Sequence, residues 1–325
     1  MKHTIEQPKV TIRKADLVLE GGGVRGIGLA GAITVLSQQG YEFQRVAGTS
    51  AGAIVGSLIA AGCTSERILE IMNGLDYRNF RDPTLLTQLG AVGKFASLLV
   101  ENGLYKGDFL RTWIAGHLAD CGVKTFGDLK LTGPEYAHLP ENQRYKLVVV
   151  TADLSKGQMV YLPWDYEKYG LNPDEQPVAE AIRSSMSIPF FFKPAHIDKS
   201  TFVDGGMLSN FPVDIFDSTA DWPTFGIKLS AKEAALQISR KITGPLSLAT
   251  ALFATLTNGQ DQRHLDNPAT IARTIFVDTG KIQSIDFDIT KEEQAQLFAN
   301  GQKSATKFLG TWDYDRYRHD FPAHS

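Results

Sequence analysis

Ser50 has a sequence context in which a serine side chain can act as a nucleophile. It lies at the centre of Gly48-Thr49-Ser50-Ala51-Gly52, between an apolar stretch at residues 43–47 and a helical run of small residues at 53–60. A G-x-S-x-G motif between a strand and a helix predicts a nucleophile elbow, which holds the hydroxyl clear of the backbone. The helix N-terminus favours negative charge that develops there. The motif predicts acyl transfer, and the alternative is an ordinary glycine turn with a serine cap.

A second glycine-rich turn lies upstream of Ser50. Gly21-Gly22-Gly23-Val24-Arg25-Gly26 separates the apolar run Leu17-Val18-Leu19 from a predicted helix that stops before Gly40. Two consecutive strand-turn-helix units in a parallel sheet put both turns at its carboxyl edge, so this turn should lie beside Ser50. Glycines let successive N–H groups point at one spot, as an oxyanion requires. Arg25 either orients this loop or binds an anionic head group, or it is a solvated surface arginine.

The same glycines also raise a rival interpretation, a dinucleotide-binding βαβ unit. Gly21, Gly23 and Gly26 match G-x-G-x-x-G, the fingerprint of that unit. The fingerprint requires an acidic residue about 20 positions further on, at the end of the second strand. No Asp or Glu occurs between Phe43 and Cys63. The sequence therefore favours the serine chemistry over nucleotide binding.

A nucleophilic serine needs a base, and Asp204 has a suitable context. It ends the apolar run Thr201-Phe202-Val203 and precedes Gly205-Gly206, although such an Asp can also be a simple turn residue. A hydrolase triad would have the order serine, acid, histidine. No histidine sits in a strand-end turn with glycine neighbours. The seven histidines are His3, His117, His138, His196, His264, His319 and His324.

Length and composition set the outer bounds. A chain of 325 residues with 43% hydrophobic and 21% charged residues can bury a large core and is ordinary for a soluble globular protein. The net charge of -3 gives no reason to expect nucleic acid as a partner. Met1–Lys14 lacks a signal-peptide core, and no window approaches the roughly 18 apolar residues of a membrane span. A cytoplasmic location is the default expectation, although an effector exported without a cleaved signal would look the same.

The cysteines and the chain pattern complete the structural expectations. Cys63 and Cys121 match neither a disulfide framework nor a metal-ligand spacing, so we expect buried small apolar residues. Alternating strand and helix patterns predict an α/β fold with a mostly parallel central sheet flanked by helices. The apolar stripe from Thr84 to Leu104 predicts either a lipid-facing cap helix or a plain core helix. Strands are predicted at 145–152, 159–162, 201–203, 225–229 and 274–277, and helices at 178–186 and 291–309.

Three segments in order resemble the motifs of the patatin-like phospholipase family. They are the glycine-rich loop at 21–26, Gly-Thr-Ser-Ala-Gly at 48–52 and Asp-Gly-Gly at 204–206. Arg183–Pro189 and Asn210–Val213 also resemble the family's segments on either side of the last motif. The similarity covers about residues 15–230. Three motifs in this order are far more specific than any one of them alone.

The resemblance implies a three-layer α/β/α fold in which Ser50 and Asp204 form a catalytic Ser-Asp dyad without histidine. It implies that the amides of Gly22, Gly23 and Val24 form the oxyanion hole. The expected activity is carboxylic ester hydrolysis of the phospholipase A or lysophospholipase type, through an acyl-enzyme. No metal or other cofactor is expected, and the expected partner is a lipid or phospholipid at a membrane surface. The supporting motif positions are Gly21, Arg25, Gly26, Gly48, Thr49, Ala51, Gly52, Gly205 and Gly206.

An alternative to the enzymatic function is a non-catalytic member of the same fold that binds lipid or a protein partner. Loss of Ser50 or Asp204 would have favoured this alternative. The expected organisation is a lead-in at 1–14, a catalytic core at 15–230, and an extension at 231–325 packed on the same domain. The sequence leaves the head group, the acyl-chain preference and the oligomeric state undetermined.

Overall fold

A central sheet flanked by helices organises the protein in a computed structural model. The structure describes residues 13–83, 102–217, 222–229 and 267–322, together with positions 242, 248, 251, 252, 255 and 256. The strands are β1 (Arg13–Leu19), β2 (Tyr41–Thr49), β3 (Gly103–Tyr105), β4 (Leu147–Asp153), β5 (Gln158–Leu162), β6 (Phe190–Phe192), β7 (Ala195–Ile197), β8 (Ser200–Asp204), β9 (Thr224–Lys228) and β10 (Thr274–Phe276). The helices are α1 (Ile27–Gln38), α2 (Ala51–Ala60), α3 (Ser65–Gly74), α4 (Asp108–Asp120), α5 (Val178–Ser185), α6 (Pro268–Ala272), α7 (Lys291–Leu309) and α8 (Tyr314–Asp320).

The sheet has a parallel part and an antiparallel part. Its strand order is β10-β9-β1-β2-β4-β8-β7, and β5 also pairs with β4. The pairs from β10 to β4 are parallel, whereas β8 and β5 run antiparallel to β4, and β7 runs antiparallel to β8. The predicted α/β architecture is confirmed, with parallel pairs from β10 to β4 and antiparallel pairs among β4, β5, β8 and β7. The turns after β1 and β2 lie together at the carboxyl edge of the parallel part.

Apolar burial on both faces of the sheet forms the core. Every residue of β4 is buried, as its continuous apolar sequence predicts for a strand covered on both sides. Helix α7 packs on α1 at backbone distance, because a Cβ added at Gly301 would lie 2.1 Å from the carbonyl oxygen of Gly28. The predicted helix at 291–309 is confirmed, and Thr290 and Glu293 form a capping box at its start.

Two buried ion pairs fix β1 to its neighbours. Arg45 of β2 donates from its backbone amide and its guanidinium to Asp16 of β1, and both side chains are buried. At the end of β1, Glu20 accepts from the Lys228 ammonium and from the Leu229 amide. A buried charge without its partner would be costly. These pairs therefore fix the register of β1 with β2 and β9, directly below the glycine-rich loop.

One predicted segment lies largely outside the described residues. The expected cap or core helix from Thr84 to Leu104 falls on 84–101, which the structure does not describe. At its end, Gly103 and Leu104 belong to the short strand β3, which pairs with β6. A helix that continues to Leu104 is therefore wrong, because the backbone at that point bonds to β6.

Candidate active site

Ser50 occupies a strained turn between β2 and α2. Its backbone has φ 54° and ψ −122°, a combination that residues with a side chain rarely adopt. The chain approaches itself closely on both sides of it. A Cβ at Gly48 would lie 2.3 Å from the carbonyl oxygen of Gly52, and a Cβ at Gly52 would lie 2.3 Å from that of Leu19. The two motif glycines are therefore required for the turn that presents Ser50 at the start of α2.

Ser185 holds the Ser50 backbone in this conformation. The Ser50 amide donates to Ser185 Oγ at 2.8 Å, and Ser185 Oγ donates to the Val150 carbonyl of β4 at 2.6 Å. Ser185 is fully buried at the end of α5. Its hydroxyl therefore links the central strand to the strained turn. Sequence reasoning assigned it no role, although it lies in the segment Arg183–Pro189 that resembled the family.

The sheet register brings Asp204 level with Ser50. Thr49, the last residue of β2, pairs with Val150 of β4, and Asp204 pairs with the next β4 residue, Thr151. The same two β4 residues pair with β5 on their other edge, so β2 and β8 follow each other along one edge of β4. Because β2 runs parallel and β8 antiparallel to β4, the ends of the two strands face each other, and adjacent β4 residues are only about 3.3 Å apart along the strand. The strand-end Asp and the serine of the sequence analysis thus lie together at one place in the fold.

The Asp204 carboxylate is buried and only partly hydrogen-bonded. Oδ1 accepts from the Gly206 amide at 2.8 Å, and Oδ2 has no hydrogen-bond partner within the described residues. Burial raises the pKa of Asp204 to about 7, against the smaller lowering effects of the Gly206 amide and the Ser50 hydroxyl. A carboxyl group of this kind exchanges a proton near neutral pH, which suits a general base.

The Ser50 hydroxyl is directed at a thioether in this structure. Ser50 Oγ donates to Met186 Sδ at 3.1 Å, although it is close enough to Asp204 to lower the pKa of that carboxyl. A thioether sulfur is a weak acceptor. For Asp204 to take the serine proton, as the resemblance implies, the hydroxyl would have to turn from Met186 to the unpaired Oδ2. Met186 is a residue of this site that sequence reasoning did not single out.

The glycine-rich loop lies beside Ser50 and packs against a later segment. A Cβ at Gly21 would lie 3.1 Å from Ser50 Cβ. Gly23 has φ +55° and no space for a side chain, because its Cβ would lie 1.8 Å from the Ser284 carbonyl oxygen. That oxygen accepts from the Val24 amide at 3.1 Å. The oxyanion role of Gly22, Gly23 and Val24 stays a prediction, and for Val24 it requires the Ser284 carbonyl to move away.

Arg25 and Asn210 fix the path of this loop. Arg25 donates from Nε to the Gly22 carbonyl at 3.2 Å and from Nη1 to the Leu229 carbonyl at 3.3 Å. Asn210 Nδ2 donates to the Gly21 carbonyl at 3.0 Å, and the Gly21 amide donates back to the Asn210 carbonyl at 3.3 Å. Of the roles open to Arg25, orientation of the loop is the one these contacts support.

The other motif positions keep the turns close together. A Cβ at Gly26 would lie 3.0 Å from the Ala51 side chain, so α1 and α2 begin in contact. Thr49 is fully buried, and its hydroxyl donates to the Ser209 carbonyl at 3.5 Å. A Cβ at Gly205 would lie 2.5 Å from the Val150 carbonyl oxygen. Small residues at these positions therefore bring the Asp204 turn against β4.

Three of the described histidines have contacts that involve neither Ser50 nor Asp204. His196 is in β7 and pairs with Thr201, three residues before Asp204, so about 10 Å of strand separates it from that residue. His117 in α4 faces Asp120, and burial lowers its pKa. His319 is exposed and pairs with Asp320. His3, His264 and His324 lie outside the described residues.

Neither a metal centre nor a membrane helix is found in the described ranges. Among the residues that the structure describes, no three His, Cys, Asp or Glu side chains are grouped so that they could hold a metal ion. Within the same ranges, no helix has the length and apolar character needed to cross a membrane.

The structure is that of an α/β protein with Ser50 on a strained turn between a strand and a helix. This chain belongs to the patatin-like phospholipase family, because the model of that family matches residues 17–217. The Bacillus subtilis (strain 168) protein YqhO is 37% identical over 303 residues, which cover 92% of this chain and 99% of that protein. The chain also resembles lysophospholipase nte1 of Aspergillus fumigatus, with 27% identity over 206 residues, 62% of this chain and 11% of that protein.

A solved structure supports the fold independently. The crystal structure of VipD from Legionella pneumophila superposes with a TM-score of 0.55 and 18% sequence identity, over 91% of this chain and 67% of that chain. At this identity the likeness concerns the fold alone. It covers more of the chain than the matched family residues do.

Replacing Ser185 by alanine is expected to lower the rate at which a fluorophosphonate labels Ser50. The Ser50 amide and the Val150 carbonyl would each lose a buried partner, which costs about 1–3 kcal/mol of stability. A displaced nucleophile can cost up to about 100-fold in rate. Fluorophosphonate labelling rate and urea unfolding measure the two effects. Ser184→Ala is the matched control, because its hydroxyl only donates to Glu180 within α5. Equal labelling rates in both variants would show that the bridge does not position Ser50.

Proposed function

We propose that this protein is a serine acyl hydrolase that cleaves carboxylic ester bonds of lipids, as a phospholipase A or lysophospholipase. The observation that carries the proposal is Asp204, a buried carboxyl group with its pKa raised to about 7. It lies level with a serine on a strained turn at a helix start. Membership of the patatin-like phospholipase family supports lipid hydrolysis in general.

In the proposed mechanism Ser50 and Asp204 carry both half-reactions. Ser50 Oγ attacks the ester carbonyl while Asp204 Oδ2 takes its proton. The alcohol leaves with a proton from Asp204, and an acyl-enzyme remains on Ser50. Asp204 then takes a proton from the water that attacks the acyl group, and it returns that proton to Ser50 Oγ as the acyl bond breaks and the fatty acid is released. The same carboxyl group is thus base and acid in turn, and no histidine is needed.

Burial gives this carboxylate the basicity that the mechanism requires. An ordinary Asp, with a pKa of about 3.9, is too weak a base to take the proton of a serine hydroxyl effectively. Burial raises the pKa of Asp204 to about 7. Near neutral pH a large fraction of the protein molecules therefore carries Asp204 as a carboxylate, and this carboxylate still accepts a proton readily. The unpaired Oδ2 is the atom at which this proton would bind.

The glycine-rich loop would stabilise the oxyanion in this proposal. The amides of Gly22, Gly23 and Val24 follow one another beside Ser50, and one such donor is worth about 3–4 kcal/mol in comparable sites. In the arrangement described here the Val24 amide donates to Ser284. Productive binding of an ester would therefore replace the Ser284 carbonyl with the substrate oxygen at Val24.

A fluorophosphonate probe and a small ester panel test the proposal on the full chain. The panel contains a short soluble ester, a phosphatidylcholine and a lysophosphatidylcholine. We expect one probe molecule per chain and hydrolysis that continues in the presence of a chelator. Heat-denatured protein is the control for non-specific labelling. Folded protein that binds phosphatidylcholine vesicles but neither reacts with the probe nor hydrolyses any ester would contradict the proposal and favour the non-catalytic alternative.

A further inference from the structure

Cys63 and Cys121 lie side by side and are only partly buried, whereas the sequence analysis expected buried small apolar residues. Their Sγ atoms are 2.7 Å apart and the residues are 58 positions apart in the chain. Both side chains are half-buried, and both cysteines are free thiols. The sequence expectation is wrong on their environment, because the ends of α2 and α4 meet at this point.

The backbone holds both thiols in fixed positions. Cys63 follows the end of α2 and Gly62, which has φ +81°, and its amide donates to the Leu58 carbonyl at 3.0 Å. Cys121 ends α4 before Gly122, which has φ +75°, and its amide donates to the Leu118 carbonyl at 3.0 Å. Both cysteines are therefore part of hydrogen-bonded helix C-termini with a left-handed glycine. Neither thiol lies on a loose loop that could move it away from the other.

We propose that Cys63 and Cys121 are a disulfide-forming site that reacts with a low-molecular-weight disulfide oxidant. One cysteine thiolate attacks a sulfur of the oxidant, forms a mixed disulfide and releases one small thiol. The second cysteine then attacks the protein sulfur of that mixed disulfide and releases the other small thiol. The protein loses two protons and two electrons, and the oxidant is reduced to two thiols.

The geometry favours attack of the second cysteine on the mixed disulfide over reaction with a second oxidant molecule. The sulfur atoms are about 0.7 Å farther apart than the bond length of about 2.0 Å, so closure needs only a small movement of the side chains. The first step is slow, because burial and the contact with Cys121 raise the pKa of Cys63 to about 12. Arg67 and Asp120 form an ion pair at 3.6 Å, and both cysteines are partly exposed to solvent. The mixed disulfide therefore closes before a second oxidant molecule can react.

The disulfide would link the C-terminal end of α2, the helix that follows Ser50, to α4. Helix α2 begins directly after Ser50 and has 10 residues, so its other end lies about 15 Å from that turn. The covalent link closes a long loop, which stabilises a protein mainly by restricting the unfolded chain. We therefore expect the oxidised protein to be more stable, with the Ser50 turn unchanged.

Oxidised glutathione tests this site on the full-length protein. Reduced protein freed of reductant is incubated for hours, then analysed by thiol titration in denaturant, intact mass and non-reducing electrophoresis. We expect the titratable thiols to fall from two to none, with loss of two hydrogen atoms from the mass and a monomeric band. The melting temperature should rise by about 5 °C or more, and dithiothreitol should reverse both changes.

Cys63→Ser and Cys121→Ser are the matched controls. Each keeps a single thiol, so each should gain at most one glutathione and show no rise in melting temperature. Wild-type protein that keeps both thiols, gains two glutathiones or forms covalent dimers would overturn the proposal. The comparison of reduced with oxidised wild type needs no substitution, so it decides the question even where a variant folds poorly.

Discussion

Replacing Ser50 by alanine is expected to abolish fluorophosphonate labelling and to reduce ester hydrolysis by about four to six orders of magnitude. Removal of a catalytic serine has an effect of this size in other serine hydrolases. The reason is that Ser50 Oγ is the atom that would form the acyl bond. Mass spectrometry of the labelled peptide and turnover of a short soluble ester measure the loss.

The unfolding free energy and a matched control variant show whether labelling is lost because Ser50 is absent or because the protein is unfolded. Alanine retains the Cβ of residue 50, so the strain at φ 54° is present in both proteins. The unfolding free energy should therefore change by less than about 1 kcal/mol. Ser57→Ala is the control, because Ser57 is a buried serine of α2 whose hydroxyl donates to the Ile54 carbonyl at 2.7 Å. The Ser57→Ala protein should be labelled by the fluorophosphonate as wild type is. A folded Ser50→Ala protein that reacts as fast as wild type would exclude Ser50 as the nucleophile.

Replacing Asp204 by asparagine is expected to lower turnover by about 100- to 10,000-fold, the range typical of a lost general base. Asparagine has nearly the same shape but cannot accept the serine proton. The wild-type rate should rise with pH through one limb near the raised pKa of about 7, because Asp204 must be deprotonated to act as base. Asp204→Asn should lose that limb. Turnover of a short ester between pH 5 and 9 measures both effects.

The pH limb alone does not identify the base, because an unperturbed histidine titrates near 6.5. Three histidine variants supply the distinction. His196→Ala, His319→Ala and His264→Ala should each keep most of the activity and the same pH limb. Loss of short-ester hydrolysis in any of them, in a folded protein, would assign the base to that histidine and show that the site is a triad.

Stability provides a second readout for Asp204. Its folded pKa of about 7 lies above the unfolded value of 3.8, so its favourable contribution is present below pH 4 and is lost as the pH rises to 7. The full loss is about 4 kcal/mol. Asp204→Asn carries no charge, so its stability relative to wild type should increase by about 2–3 kcal/mol between pH 5 and pH 8. Urea unfolding at both pH values checks this. A carboxylate whose pKa is lowered in the folded protein, by an ion pair or by hydrogen bonds, would show the opposite sign.

The linear sequence was sufficient for features that depend on neighbouring residues. Gly48 and Gly52 around Ser50 predicted a turn that only small residues allow, and the apolar run at 147–150 predicted a strand buried on both faces. The helix from Lys291 to about Leu309 was predicted from its apolar spacing, which is a local pattern, and the structure adds the Thr290 cap at its start. The order of three short motifs was enough to indicate the family, which the match over residues 17–217 confirms.

The tertiary structure alone decided contacts between distant parts of the chain. A strand pattern has no direction, so the sequence could not show that β8 runs antiparallel to β4 and ends at Thr151, which brings Asp204 level with Ser50. The hydrogen bond of Ser185 with Ser50 was missed for the same reason. The sequence around a serine at a helix end does not show whether its hydroxyl has a partner elsewhere in the fold. Hydrogen-bond partners far apart in sequence are fixed only by how the sheet and helices pack, and no local pattern encodes them.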